Sequence, residues 1–284
     1  VSAASEITRK AKSNLAFALN ILPRERRDDM VVFYAFCRTM DDLADDAGVP
    51  DEQRALSLDS WKNGLLHGFQ APDEFQQEVI SLRDRREIPT ELLVAIIDGC
   101  RMDLQPQRFQ TWDDLSGYIW KVACAVGLVS IRIFGCTDPG SERYAVALGH
   151  ALQLTNILRD IGEDLSNGRR IYLPLEDLAR FQYTEQDLIE RLHDDRFLAL
   201  MDYEATRAED YFREAEAALT AVDRAALLPA RIMAEIYHLL LVKMREDRFH
   251  VFEKRYQVSK ARKLAILSRH LIMRGSDRQS TFRS

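Results

Sequence analysis

Asp41 and Asp45 stand four residues apart in the run CRTMDDLADD, and Asp160 and Asp164 repeat that spacing in QLTNILRDIGEDL. On a helix, residues at i and i+4 project from one face, so each pair sets two carboxylates side by side. Like charges so placed weaken a helix unless something positive binds between them. An acidic run taken alone reads first as a solvated helix end. Here the first run, which also holds Asp42, directly follows the apolar stretch 31–37, so one carboxylate face is expected to border the core. In the second run Asn156 lies one turn before Asp160 on the same face, and Gln153 is close to it. That polar stripe is flanked by Ala147, Leu148, Leu152, Ile157 and Leu158, and a polar stripe inside a bundle suits ligand binding. Two aspartate pairs on two helices point to a hard cation. Mg²⁺ prefers oxygen ligands, keeps waters, and is commonly shared between a few carboxylates and substrate phosphates. There it acts as a Lewis acid on a departing diphosphate. Arg159 and the pair Arg169 and Arg170 add donors that match phosphate oxygens.

The elements that must position these groups read at the helical period nearly throughout. After Pro23, residues Met30, Val31, Tyr34, Ala35, Met40 and Leu43 fall broadly on one side. Further helical patterns cover roughly 52–67, 73–86, 90–103, 111–135, 139–163, 184–219, 223–247 and 258–273. Thr90 and Thr184 are expected as N-caps, with Asp51 and Glu52 in a first turn. Only 12 Gly and 8 Pro punctuate 284 residues, which favours long helices over strands and turns. The sequence SNGRRIYLP at 166–174 breaks the pattern as a loop with a basic pair, and the polar stretch 275–284 reads as a disordered tail. The expectation is an all-α, single bundle of about ten helices over 1–274, with no repeat and no linker.

Composition narrows the partners and the compartment. With 46% hydrophobic and 30% charged residues the balance is that of a globular protein with a sizeable core. A net charge of −6 lacks the basic footprint of a nucleic-acid partner. Cys37, Cys100, Cys124 and Cys136 form no CxxC pair and lie in apolar stretches, which reads as reduced thiols in a cytoplasmic protein. The polar start VSAASEITRKAKSN has no apolar core of a signal peptide. The best membrane candidate, 119–134, is interrupted by Lys121 and Arg132 and is too short to span a bilayer, although contact with a membrane surface stays open.

CRTMDDLADD together with QLTNILRDIGEDLSNGRRIYLP resembles the paired signatures of the squalene/phytoene synthase family. The likeness extends to NILPRERRDDMVVFYAFCR, YIWKVACAVGLVSIRIFG, IYHLLLVKM and FEKRYQVSKARKL, and so covers about 13–270. It implies an isoprenoid-synthase-type helical bundle with a central cavity. It implies that Asp41, Asp42, Asp45, Asp160 and Asp164 hold Mg²⁺ and diphosphate. Tyr34, Arg38, Gln153, Asn156, Arg159 and Tyr172 match positions lining the substrate site, and Arg170 or its neighbour Arg169 matches a loop arginine. Tyr237 and Arg255 are carried over from the C-terminal helices.

The implied reaction is a head-to-head (1′–1) condensation of two prenyl diphosphates. Loss of one diphosphate leaves an allylic cation, and the second substrate's double bond attacks it to form a cyclopropylcarbinyl diphosphate. Aromatic faces at Tyr34 and Phe33 would stabilise the cation if they point inward, and an apolar cavity would exclude water. Farnesyl diphosphate giving presqualene diphosphate, and on to squalene, is the expectation; phytoene or dehydrosqualene synthesis is the alternative. NADPH use is left open without support, since no GxGxxG fingerprint is present. An apolar product favours contact with a membrane surface. Three positions depart from the family: Ser13-Asn14-Leu15 stands where a serine-rich Ser-Phe segment is common, Cys124 where Gly or Ser is frequent, and a doubled arginine precedes Ile171.

Two rival readings remain. Glu190/His193 and Glu235/His238 have the Glu-x-x-His spacing of di-iron bundles. The pattern is short and recurs by chance, so His193 is expected on the surface and His238 as a hydrogen-bonded core histidine. A non-catalytic assembly factor of the same fold is disfavoured by the two intact aspartate pairs.

Overall fold

The first helix, α1 (Arg24–Asp45), begins behind Pro23, whose fixed φ suits a helix start, and buries Met30, Phe33, Phe36, Met40 and Ala44 at three- to four-residue spacing. The structure is a computed structural model that describes residues 21–46, 48–167 and 170–281, with side chains to 272. α2 (Asp51–His67), α3 (Glu74–Arg85) and α4 (Thr90–Met102) pack on α1. Phe36, Trp61, Leu82 and Ile97 fill the core between them. α3 starts from a reciprocal capping box between Asp73 and Gln76. Thr90 does not cap: Pro89 occupies that position, and Thr90 is the first helical residue.

α5 (Trp112–Ile119) runs through a π-helical turn (Trp120–Cys124) into α6 (Ala125–Phe134), which ends at Gly135 in the left-handed conformation with φ 74°. The wide turn was not legible from apolar spacing, and such turns often mark functional sites. With α5 included, the helix Trp112–Phe134 is long and apolar enough to cross a membrane, a correction to the shorter 119–134. It lies in the centre of the fold, with Ile119, Cys124, Ala125, Val129 and Ile133 fully buried.

α7 (Gly140–Ser166) is the axis of the second half and packs along α10 (Asp195–Ala218), the π turn, α6 and α11 (Leu228–Glu246). Between α7 and α10 lie two short helices, α8 (Leu175–Arg180) and α9 (Glu185–Ile189). Thr184 caps α9 as expected, but the pattern 184–219 is two helices rather than one. Asp194 accepts from the amides of Arg196 and Phe197 and starts α10 anew, while the Tyr183 hydroxyl donates to Leu192 O at 2.7 Å across the break. α11 begins at Leu228 rather than 223, because Pro229 is tolerated only in a first turn. Asp223 instead accepts from the amides of Thr137 and Asp138 and the hydroxyl of Ser141. α12 (Lys260–Thr281) lies on α11 and continues through 275–281, where sequence polarity predicted disorder. Arg, Asp and Gln there extend a helix already started and carry no break as strong as proline. Among the described residues there is no strand.

Candidate active site

One face of α1 carries Tyr34, Arg38, Asp41 and Asp45 in successive turns, with Asp42 beside them. Arg38 pairs with Asp42 at 2.5 Å. The Asp41 carboxyl opens to solvent along the cleft, yet protein closes around it deeply enough that burial pushes it up to about 6. The Cys100 thiol, from α4, donates to it at 3.4 Å and opposes that rise. Asp45 accepts from Arg170 at 3.1 Å.

The opposing face belongs to the C-terminal half of α7, where Asn156, Asp160 and Asp164 follow one another turn by turn. Asp160 is clamped from two sides. The Arg159 Nε donates to Oδ1 at 2.8 Å, and its Nη2 donates to Oδ2. Arg255, from the loop between α11 and α12, donates to Oδ1 at 2.9 Å and to Oδ2 at 3.3 Å, and pairs with Glu163 at 3.2 Å. Burial, and then the neighbouring Asp160 charge, push Asp164 up to about 7. The Tyr237 hydroxyl stands against Arg159. Asn156 Nδ2 reaches Gln153 at 3.4 Å, but its Oδ1 is buried with no partner.

The two faces are joined by a residue that motif reading missed. Asp103, just past the end of α4, accepts from Tyr118 at 2.8 Å and from Tyr172 at 3.0 Å. Its carboxyl is raised by burial, which the two phenols and the Arg170 charge oppose. Arg170 also donates to the Asp103 carbonyl at 3.4 Å, and its own amide donates to Asp164 O at 3.0 Å. Asp103 thus lies in the electrostatic field of Asp41 and Asp45 on one side and Asp164 on the other. Tyr118, Tyr172 and Phe109 stack around it, with centroids 5.4–6.2 Å apart. A lone aspartate after an apolar helix carries no spacing signal. The only hint was its place three residues after Cys100 on a helix that must face α1.

Behind Asn156 an apolar cavity of about 230 Å³ runs between α7, the π turn, α6 and α11. Gln153, Asn156 and Tyr237 form its polar end; Phe134, Tyr144 and Ala145 lie at the other. Asn156 lies eleven positions along α7 from Ala145, about 16 Å at the helical rise. A long apolar chain with an anionic head fits that shape: the head among the aspartates and arginines, the tail in the cavity.

A family sequence profile described as squalene/phytoene synthase matches residues 8–262. The chain belongs to the squalene/phytoene synthase family. It is therefore an enzyme of the head-to-head prenyltransferase type. It is 34% identical to 15-cis-phytoene synthase of Synechococcus elongatus, over 92% of this chain and 89% of that protein. It is 35% identical to the enzyme of the same name from Synechocystis, over 94% and 84%. Among solved structures, a dehydrosqualene synthase in complex with ligand superposes with TM-score 0.78 at 30% identity, covering 96% of this chain and 95% of that one. Squalene synthase HpnC from Alicyclobacillus acidocaldarius gives TM-score 0.78 at 26% identity, covering 87% and 93%. The all-α isoprenoid synthase fold is the one expected from sequence.

Several sequence expectations need amendment against this synthase's geometry. Phe33 stacks on Phe36 in the α1–α4 core at 6.5 Å and is almost fully buried there, so it is a packing residue. His238 is not a core histidine; it is exposed on α11 and bonds Glu209 at 2.9 Å. Glu235 instead pairs with His270 at 2.9 Å, and His193 bonds Arg248 O at 2.8 Å, so the two Glu-x-x-His patterns are spent on separate contacts. Arg169 and 13–15 lie outside the described residues. Cys124, where small residues are usual, is accommodated by Gly149, whose Cα faces it so closely that an added Cβ would lie 2.8 Å from Cys124 Cα.

Proposed function

We propose that this synthase condenses two C20 prenyl diphosphates head to head to make phytoene. The observation that carries the choice of product is the pair of curated relatives at 34–35% identity, both 15-cis-phytoene synthases. The farnesyl, squalene-type expectation from motifs alone thus gives way to the alternative branch. A C15 reading is favoured separately by the dehydrosqualene synthase structure at 30% identity, and the test below includes it.

The geometry supports the common chemistry of both. Arg38, Arg159, Arg170 and Arg255 surround the cleft, where each now pairs with a carboxylate. These guanidiniums match diphosphate oxygens and can exchange one anionic partner for another. Among the described residues no three His, Cys, Asp or Glu side chains converge tightly enough to hold an ion by themselves. The donor set nevertheless fits Mg²⁺, since hard oxygens of Asp41, Asp45, Asp160 and Asp164 face the cleft beside the orphaned Oδ1 of Asn156, and Mg²⁺ usually shares its shell with phosphates and water. When bound there, Mg²⁺ supplies charge neutralisation of the departing diphosphate. The chain's own residues orient the head group at the cleft. The apolar walls behind Asn156 keep water from the allylic cation until the second substrate's double bond attacks it. Half-buried Tyr34 and Tyr172 present aromatic faces near that path. The apolar product then has nowhere stable in water and is delivered to a membrane surface. The synthase works in the cytoplasm against that surface.

The test is an incubation of purified protein with Mg²⁺ and either geranylgeranyl or farnesyl diphosphate, with and without NADPH, products identified by mass spectrometry. Phytoene from the C20 substrate without NADPH is expected. Product from the C15 substrate alone, as presqualene diphosphate, squalene or dehydrosqualene, would replace the C20 assignment.

A further inference from the structure

Helix α12 has two different faces. Inward, Ile266 is buried against Ile232 and Ile236 of α11. Glu235 of α11 binds both Arg269 and His270, the latter at 2.9 Å, which fixes the rotation of α12. Outward, Leu264, Leu271 and Ile272 are 55%, 43% and 70% exposed, three of the few large apolar side chains that the described surface leaves in water. Leu264 and Leu271 are two turns apart and share a side, with Ile272 next to them. Lys260, also exposed, lies one turn before Leu264 on the same side.

Charge is distributed as unevenly as polarity. The sequence 260–284 holds seven Lys or Arg and one Asp, a net +6, in a chain whose total is −6, so residues 1–259 carry −12. A basic stretch on a strongly acidic protein orients the molecule in the field of an anionic surface. A basic helix with an exposed apolar stripe is the pattern of segments that lie in a membrane interface rather than cross it.

We propose that α12 is a docking surface for a bilayer containing anionic phospholipid. Leu264, Leu271 and Ile272 enter the acyl boundary, Lys260 beside them meets the headgroups, and the exposed charge of Arg262 adds to the attraction. Nucleic acid would match the charge but leave the apolar stripe without a partner. A second copy through the same stripe would set two basic helices against each other. The benefit of docking, handing over an apolar product, rests on the proposed reaction; the docking itself does not.

The experiment is co-sedimentation of the full chain with vesicles of phosphatidylcholine alone and of phosphatidylcholine mixed with phosphatidylglycerol, at low and high salt. Binding is expected to the mixed vesicles and to fall with salt. Leu271→Asp with Ile272→Asp should weaken it about ten-fold or more, and Lys260→Glu with Arg262→Glu about ten-fold or more. Both variants should keep wild-type helical content and turnover in detergent. The second variant changes only exposed residues, so it serves if the first misfolds. Equal binding by wild type and folded variants, or no binding to mixed vesicles by a protein that turns over substrate, would overturn the proposal. So would a wild-type dimer that these substitutions make monomeric. Sedimentation uses no substrate, so failure of the catalytic reading shows up separately as absent turnover.

Discussion

Arg170 donates to Asp45 at 3.1 Å although 125 residues separate them, and this contact ties the loop after α7 to the acidic face of α1. The same guanidinium reaches the carbonyl of Asp103, and the Arg170 amide closes the end of α7 on Asp164 O. Arg170 therefore bridges the two aspartate faces, beside the link that Asp103 makes through Tyr118 and Tyr172. Arg170→Ala should lower turnover about 100-fold, the scale for losing one preorganised donor to a developing anion, with far-UV circular dichroism unchanged. Arg170→Lys should recover little of it, because a point charge cannot hold several oxygens in one plane. Turnover within a few-fold of wild type in the alanine variant would remove Arg170 from the site.

Tyr118 and Tyr172 share one acceptor in Asp103. Tyr118→Phe and Tyr172→Phe are each expected to reduce turnover about ten-fold, and the double variant to fall short of the product of the two, since contacting groups couple by roughly 0.5–3 kcal/mol. Strictly multiplicative losses would show that the two phenols act independently of Asp103.

At Gly149, α7 packs so tightly on the π turn that an added Cβ would meet Cys124 Cα at 2.8 Å. Gly149→Ala should destabilise the fold by about 1–3 kcal/mol, the usual cost of overpacking where backbone must move, read as a lower midpoint in urea. The clash is with Cys124 Cα and N as well as its sulfur, so Cys124→Ala in the same chain should restore only part of the loss. An unchanged midpoint in Gly149→Ala would mean that the two helices separate freely there.

Glu204 and Asp177 are buried together on Arg207, whose Nη1 donates to them at 2.6 and 3.0 Å. Burial outweighs that cation and pushes Glu204 up to about 8. The folded protein therefore holds a proton that the unfolded chain releases near 4.3. Between those values the native state binds more protons, so stability from this group falls as pH rises toward about 8 and is flat beyond. Glu204→Gln holds no such proton. Relative to that variant, the wild type should lose urea stability on going from about pH 6 to about pH 9. A difference between the two proteins that is the same at both pH values would contradict the shift.

What the sequence made legible, and what it hid, follows from the range of the interactions. Asp41, Asp45, Asp160 and Asp164 were visible because helix geometry converts a local spacing into a shared face. Most helix bounds were visible for the same reason. Asp103 was hidden because its meaning lies in Tyr118 and Tyr172, 15 and 69 residues away. The break at Asp194 was hidden by apolar residues that kept the helical period on both sides of it, although the aspartate itself was a readable cap. Phe33 was misjudged because one helix turn separates a side chain facing the cleft from one facing the core, and spacing alone did not fix which side α2–α4 would cover. The π turn left no trace in residue type at all.

We propose that the two aspartate faces act together on a prenyl diphosphate. The most direct test is inorganic diphosphate release from geranylgeranyl diphosphate with Mg²⁺ by the wild type, Asp41→Ala and Asp160→Ala, with folding checked by circular dichroism. Release by the wild type is expected, with its loss on chelation and recovery on added Mg²⁺, and release lower by at least about 100-fold in each folded variant, the scale of losing one preorganised electrostatic group. Near-normal release by both variants would contradict it.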